Sequence, residues 1–117
     1  MTSTQQIIKF NIERNLTDFN PESEYRMLLE ELEEFHDALA LNDLGGMIDA
    51  LNDLRVIATG AVWKAEQDPE LSLKQTCKEI LSRQGSIGPD GKWLKDRSQD
   101  PSTLYTANYA LSRRSPH

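Results

Sequence analysis

Apolar residues recur at helical spacing through the first two thirds of the chain. Tyr25, Leu28, Leu29, Leu32, Phe35 and Leu39 fall on one stripe when each residue is turned by roughly 100°. This predicts a helix over 21–41. Its start is written in Asn20-Pro21-Glu22: a capping side chain, a proline at the first helical position, and an acid near the positive helix end. A second helix is predicted over 47–66, where Ile48, Leu51, Leu54, Ile57, Ala58, Ala61 and Val62 form a wide apolar face and Val56 and Trp63 extend it onto the opposite side. A helix apolar most of the way round is buried on several sides, which predicts partner helices from a second subunit. Between the two, Asn42-Asp43-Leu44-Gly45-Gly46 breaks the pattern. The glycines predict a turn or helix C-cap, and Asp43 is placed to cap the second helix. So short a connection makes the flanking helices antiparallel neighbours.

The flanks are shorter. Ile7, Ile8, Phe10 and Ile12 predict a helix of about three turns within 2–15, with Ser3 or Thr4 as its cap. Asp68-Pro69-Glu70 opens a helix through Leu71, Leu73, Cys77, Ile80 and Leu81 that ends near Arg83-Gln84-Gly85. The stretch 85–96 then reads as a loop with a turn at Pro89-Asp90-Gly91. Residues 97–117 read as irregular, docked in places by Tyr105 and Tyr109, with a frayed end. The expected fold is an all-α antiparallel helical bundle whose four-helix core is completed by dimerisation. A helical domain over 1–84 carries the segment 85–117 on its surface.

At 117 residues the chain is one domain with a modest core, which adds weight to self-association as a homodimer or homotetramer. The net charge of −6 argues against a broad nucleic-acid surface. Cys77 is the single cysteine, so no internal disulfide and no thiolate metal site is expected. No signal peptide, membrane span or lipidation motif is read, and a reducing, cytoplasmic setting is the expectation.

The acids change the picture. Glu30-Glu31-Leu32-Glu33-Glu34 lies on the first long helix, and Asp49-Ala50-Leu51-Asn52-Asp53 opens the second beside apolar sequence. Glu31 borders the apolar stripe, Glu34 lies further round, and Glu30 and Glu33 face outward. Asp49, Asp53, Val56 and Gly60 share a face. A carboxylate out of water must be paired, protonated or metal-bound. Acids pooled from two antiparallel helices suit one or two hard cations such as Mg²⁺, with Mn²⁺ as a substitute. His36 and His117 are isolated in the sequence, which disfavours zinc. Gly85-Ser86-Ile87-Gly88 lacks the lysine and the strand–helix context of a phosphate loop. No nucleophile elbow or Cys/His pairing is present. What remains is metal-assisted attack of water on phosphorus.

At these residues the sequence resembles the all-α nucleoside triphosphate pyrophosphohydrolases, the MazG-like group that includes dimeric dUTPases and phosphoribosyl-ATP pyrophosphohydrolases. Their pattern is Glu-x-x-Glu, an inter-helix gap, then Glu-x-x-Asp. Glu31-Leu32-Glu33-Glu34 fits the first half, with Glu30 giving the frequent double acid. Asp53 takes the final Asp, but Ala50 stands where the family has Glu, and Asp49 gives the Asp-Ala-Leu-x-Asp form of the branch near phosphoribosyl-ATP pyrophosphohydrolase. The likeness covers about 26–60, and more weakly 78–95, where Ser82-Arg83 and Gly91-Lys92 look like the family's basic follow-on.

The resemblance implies hydrolysis of an NTP or dNTP between the α- and β-phosphates. Glu31, Glu34, Asp49 and Asp53 would hold the metal. Glu30 would be an accessory acid beside Glu31 and Glu34, either a second-metal ligand or the base that orients water. Arg83, Lys92 and Lys95 would clamp phosphate, Asn52 or Gln6 would read a base edge, and Trp63 or Trp93 would stack on the base. Two alternatives stay open: a specialised dUTP or phosphoribosyl-ATP enzyme, and a helical interaction module that has lost the chemistry, for which Ala50 is the best support.

Overall fold

Side-chain caps set where each helix begins. In the computed structural model, which describes residues 1–115, the order is α1 Ser3–Glu13, α2 Pro21–Ala40, α3 Leu44–Lys64, α4 Pro69–Ser82, then a hairpin of β1 Gly85–Ile87 and β2 Trp93–Lys95, and short 3₁₀ turns at Pro101–Thr103 and Tyr109–Ser112. Asn20 accepts from the Ser23 N–H at 3.1 Å, Asp43 from Gly46 at 3.0 Å and Asp68 from Leu71 at 3.0 Å. The α1 cap is Thr2 rather than Ser3 or Thr4. From Thr2 the third helical position is Gln5, whose Oε1 accepts from the Thr2 N–H at 2.8 Å while Thr2 Oγ1 accepts from the Gln5 N–H, closing a capping box. The fold is all-α, its only sheet among the described residues being the two-stranded hairpin.

The glycine pair has a different role from the one its position in the sequence predicts. Gly45 and Gly46 lie in the first turn of α3, and Asn42 makes the break with φ of 52° while the Asp43 N–H reaches back to the Ala38 carbonyl at 2.9 Å. A Cβ on Gly46 would stand 2.6 Å from Asp43 Oδ2 and 3.1 Å from Ala38 Cβ. The glycine is there so that cap and neighbouring helix can close.

From that turn α2 and α3 run antiparallel in extensive contact. Small residues let them approach: Ala38 is buried and Ala50 only 1% exposed. At the other end of the pair Lys64 forms a buried ion pair with Glu24. α1 lies along a further side of α3, where a Cβ on Gly60 would stand 2.7 Å from Asn11 Nδ2. Gly60 thus admits the buried Asn11 side chain.

α4 meets α3 through its first half, with Pro69, Ser72, Leu73 and Thr76 facing Ala58, Thr59 and Val62. The chain then returns along α4. The Ala107 N–H reaches Glu79 Oε1 at 2.9 Å, the Asn108 N–H reaches Gln75 Oε1 at 3.0 Å, and Tyr105 and Tyr109 dock through their hydroxyls on Gln75 and Thr76. Arg114 closes the strap, donating from Nε to the Trp63 carbonyl at 2.8 Å with its guanidinium over the indole. The stretch 85–96 is therefore not plain loop: β1 and β2 pair antiparallel, Gly85 opposite Lys95 and Ile87 opposite Trp93, and the turn at Gly91 takes φ of 78°. His117 lies outside the described residues.

The predicted α2 stripe splits in two. Leu28 and Phe35 are half-buried, whereas Tyr25, Leu29, Leu32 and Leu39 stay exposed, as do Leu44, Ile48 and Leu51 on α3. The accessible surface is 8879 Å², against roughly 6,500 Å² for a monomeric protein of this mass. The radius of gyration is 17.1 Å, against about 13 Å for a compact domain of this length. No helix among the described residues is long and apolar enough to cross a membrane.

Because Ala50 closes the α2–α3 contact, Ala50→Leu should overpack it and cost about 1–3 kcal/mol. A thermal melt should show a lower midpoint, and an unchanged midpoint would mean that the helices have room to spare there.

Candidate metal centre

Glu31 and Glu34 stand one turn apart on α2, and the antiparallel α3 brings Asp53 to them. One carboxylate oxygen of each lies within 4.8 Å of the others. Glu31 and Asp53 are half-buried and Glu34 is exposed, so the group sits at the mouth of the α2–α3 seam.

The group is electrostatically uncompensated. None of the ion pairs among the described residues involves Glu31, Glu34 or Asp53; the basic side chains in those pairs face Glu13, Glu22, Glu24, Glu66 and Glu79. Burial, then hydrogen bonding to and repulsion from Glu34, then Asp53, push the Glu31 carboxyl up to about 7 from its ordinary 4.5. Its Oε2 is buried and meets no donor. Two ionised carboxylates cannot hydrogen-bond to each other, so the group holds together either by retaining a proton or by gaining a cation. The donors are all hard oxygens with no imidazole or thiolate among them, a set that fits Mg²⁺ or Mn²⁺ with water or phosphate completing the shell, and does not fit structural zinc.

The other residues singled out in the sequence are dispersed. Glu30 and Asp49 are exposed and stand outside the group of three. Asn52 turns to the α1 side of α3. It accepts from Arg55 Nη1 at 3.3 Å and lines a groove of about 260 Å³ with Ser3, Thr4, Ile7, Val56 and Thr59. Gln6 is exposed and bonds the Met1 carbonyl at 3.4 Å. Arg83 is held by Glu79 at 2.9 Å. Lys92 and Lys95 are exposed on or beside the hairpin strands. Trp63 is buried beneath Arg114, and Trp93 is exposed on β2, with its ring against Gly85.

The buried Glu24–Lys64 pair and the buried Asn11 were not singled out in the sequence. Glu24 precedes Glu31 by seven residues and so shares its helix face, and Lys64 follows Asp53 by eleven, three turns along α3. That spacing was the readable signal for the Glu24–Lys64 pair. For Asn11, buried against Gly60 with Nδ2 unpartnered, there was none beyond its place on the inner face of α1.

Compared with protein-family models, with curated proteins and with solved structures, the chain matches none.

Because Glu31 holds its proton to about 7 when folded and to 4.5 when unfolded, the folded state binds the extra proton between those values. Metal-free stability should therefore be greatest below that window, fall as pH rises through it, and stay low above it. The melting midpoint in EDTA should drop from pH 5 to pH 8, and Glu31→Gln should flatten the drop. At pH 8 that variant should melt higher than the parent, on the order of 5 °C, the shift that ~1 kcal/mol gives a domain of this size. An equal pH slope in both proteins would refute this account of the cluster.

Proposed function

We propose that this chain is a metal-dependent nucleoside triphosphate pyrophosphohydrolase, cleaving NTP or dNTP to the monophosphate and pyrophosphate. The convergence of Glu31, Glu34 and Asp53 across an antiparallel helix pair, with a buried carboxylate oxygen left without a donor, is the observation that carries it. Motif order and spacing lend support. A magnesium ion, when bound there, would neutralise the triphosphate and acidify a water. Glu31, Glu34 and Asp53 would hold it. Glu30, exposed at the preceding position of α2, is placed outside this set, where it can orient the attacking water by accepting its proton. Asp49 lies one turn before Asp53 on α3, where it would serve through a bridging water rather than directly. Asn52 and its groove are offered as the base-side contact, and Arg83, Lys92 and Lys95 as the phosphate clamp. The excess apolar surface supports a homodimer or homotetramer as the working form. With a net charge of −6, the partner is a small phosphorylated molecule in the cytoplasm rather than nucleic acid or membrane.

A second reading has its own observation. Ala50, closed at 1% exposure between α2 and α3, supplies no fourth carboxylate where the resembled pattern has one. A helical interaction module keeping the bundle without the chemistry would look the same at this position.

Pyrophosphate release from a panel of ribo- and deoxynucleoside triphosphates, including dUTP, separates the two. Release with Mg²⁺ or Mn²⁺ that EDTA abolishes, with the monophosphate as co-product, is the expected result. Glu31→Gln or Asp53→Asn should lower it on the order of a hundredfold or more while the far-UV circular dichroism stays that of the parent. Failure with every triphosphate and with phosphoribosyl-ATP would favour the interaction module.

A further inference from the structure

Charge divides unevenly along this chain. Residues 1–82 carry 16 acidic and 7 basic side chains, whereas residues 83–117 carry 3 and 6, so a body of net −9 is followed by a segment of net +3. The hairpin in that segment packs extensively on none of the helices of its own chain. Every strand residue is exposed, including Ile87, Trp93 and Leu94. Direct opposition of Ile87 and Trp93, and of Gly85 and Lys95, puts Ile87, Trp93 and Lys95 on one face of the ribbon. α4 carries the hairpin outward, because only its first half meets α3 and its last turns leave Ile80 and Leu81 exposed.

The arm is nevertheless anchored at its root. Gln99 Oε1 accepts from the Gln84 N–H at 2.7 Å, its Nε2 donates to the Ser82 carbonyl at 2.8 Å, and the Asp96 N–H reaches the Gln84 carbonyl at 2.9 Å. So fixed an arm, apolar and basic on one face, has complementary surface on the body. On α2, exposed Tyr25, Leu29 and Leu32 run beside the outward acids Glu30 and Glu33, next to a carboxylate cluster that has no cation of its own.

We propose that the hairpin of one protomer lies across α2 of a second copy of this chain and supplies Lys95, from the face it shares with Ile87 and Trp93, to that copy's carboxylate cluster. The occupant is a second copy because the surface excess, roughly 2,400 Å² per chain over a compact monomer, matches what each partner of an obligate dimer covers. A two-fold arrangement then completes both sites at once. The supply of a phosphate-binding cation to the site rests on the hydrolase reading; the placement of the arm does not.

Two measurements test it. The first mixes Glu31→Gln protein with Lys95→Ala protein after unfolding and refolding together. Each alone should be depleted in pyrophosphate release on the order of a hundredfold. The mixture should recover about a quarter of the parent rate, since half the dimers are mixed and each holds one intact site. No recovery, with both variants folded, overturns the sharing of the site. The second needs no activity. In a Cys77→Ser background, Lys95→Cys on a size-tagged chain is mixed with Glu33→Cys on an untagged one and treated with a short bismaleimide. A crosslinked species of mixed length is expected. A monomeric mass in sedimentation, or crosslinking only within one chain when both substitutions are placed together, overturns the proposal. The mixed crosslink in a protein that hydrolyses nothing would keep the arm's placement and reject the hydrolase reading.

Discussion

Everything in this protein depends on how closely α2 and α3 approach. A cap from Asp43, a glycine that leaves room for it, and buried alanines at 38 and 50 bring the two backbones together near the turn. Only at that spacing do carboxylates on opposite helices fall within 4.8 Å.

Along this seam the fold meets the cost of half-buried acids in two ways. At one end Glu24 is neutralised by Lys64, a pair taken almost wholly out of water. Two turns along the same face Glu31 has no such partner and is flanked by two more acids. The same helix face thus carries a closed ion pair and an open anionic group. A permanent lysine would have filled the second position as it fills the first.

The second feature is how little the chain covers itself. α1 and the returning strap protect two sides of α3 and one side of α4, through Asn11 on Gly60 and Arg114 on Trp63. The outer stripe of α2, the first turns of α3 and the end of α4 are left apolar and open. In water such a surface favours association, because burying it recovers roughly 25 cal/mol for each Å² covered.

The sequence by itself determined the four helices, the caps of α2, α3 and α4, and the antiparallel pairing of α2 with α3, because capping residues, prolines and helical spacing act locally. Asn20, Asp43 and Asp68 cap where they were expected to, and Tyr105 and Tyr109 dock the tail. It also brought out Glu31, Glu34 and Asp53, since residues three or four apart share a helix face whatever the helix packs on. What it could not determine depended on partners distant in the chain. The glycine pair read as a turn until the proximity of Ala38 gave Gly46 another reason, and Gly60 awaited a side chain from α1. Residues 85–96 read as loop because three-residue strands carry too short an alternation to register. Which stripe residues turn inward, and which acids of each run meet, was decided by the rotation of α2 against α3. That rotation is a property of the packed pair, and no single helix contains it.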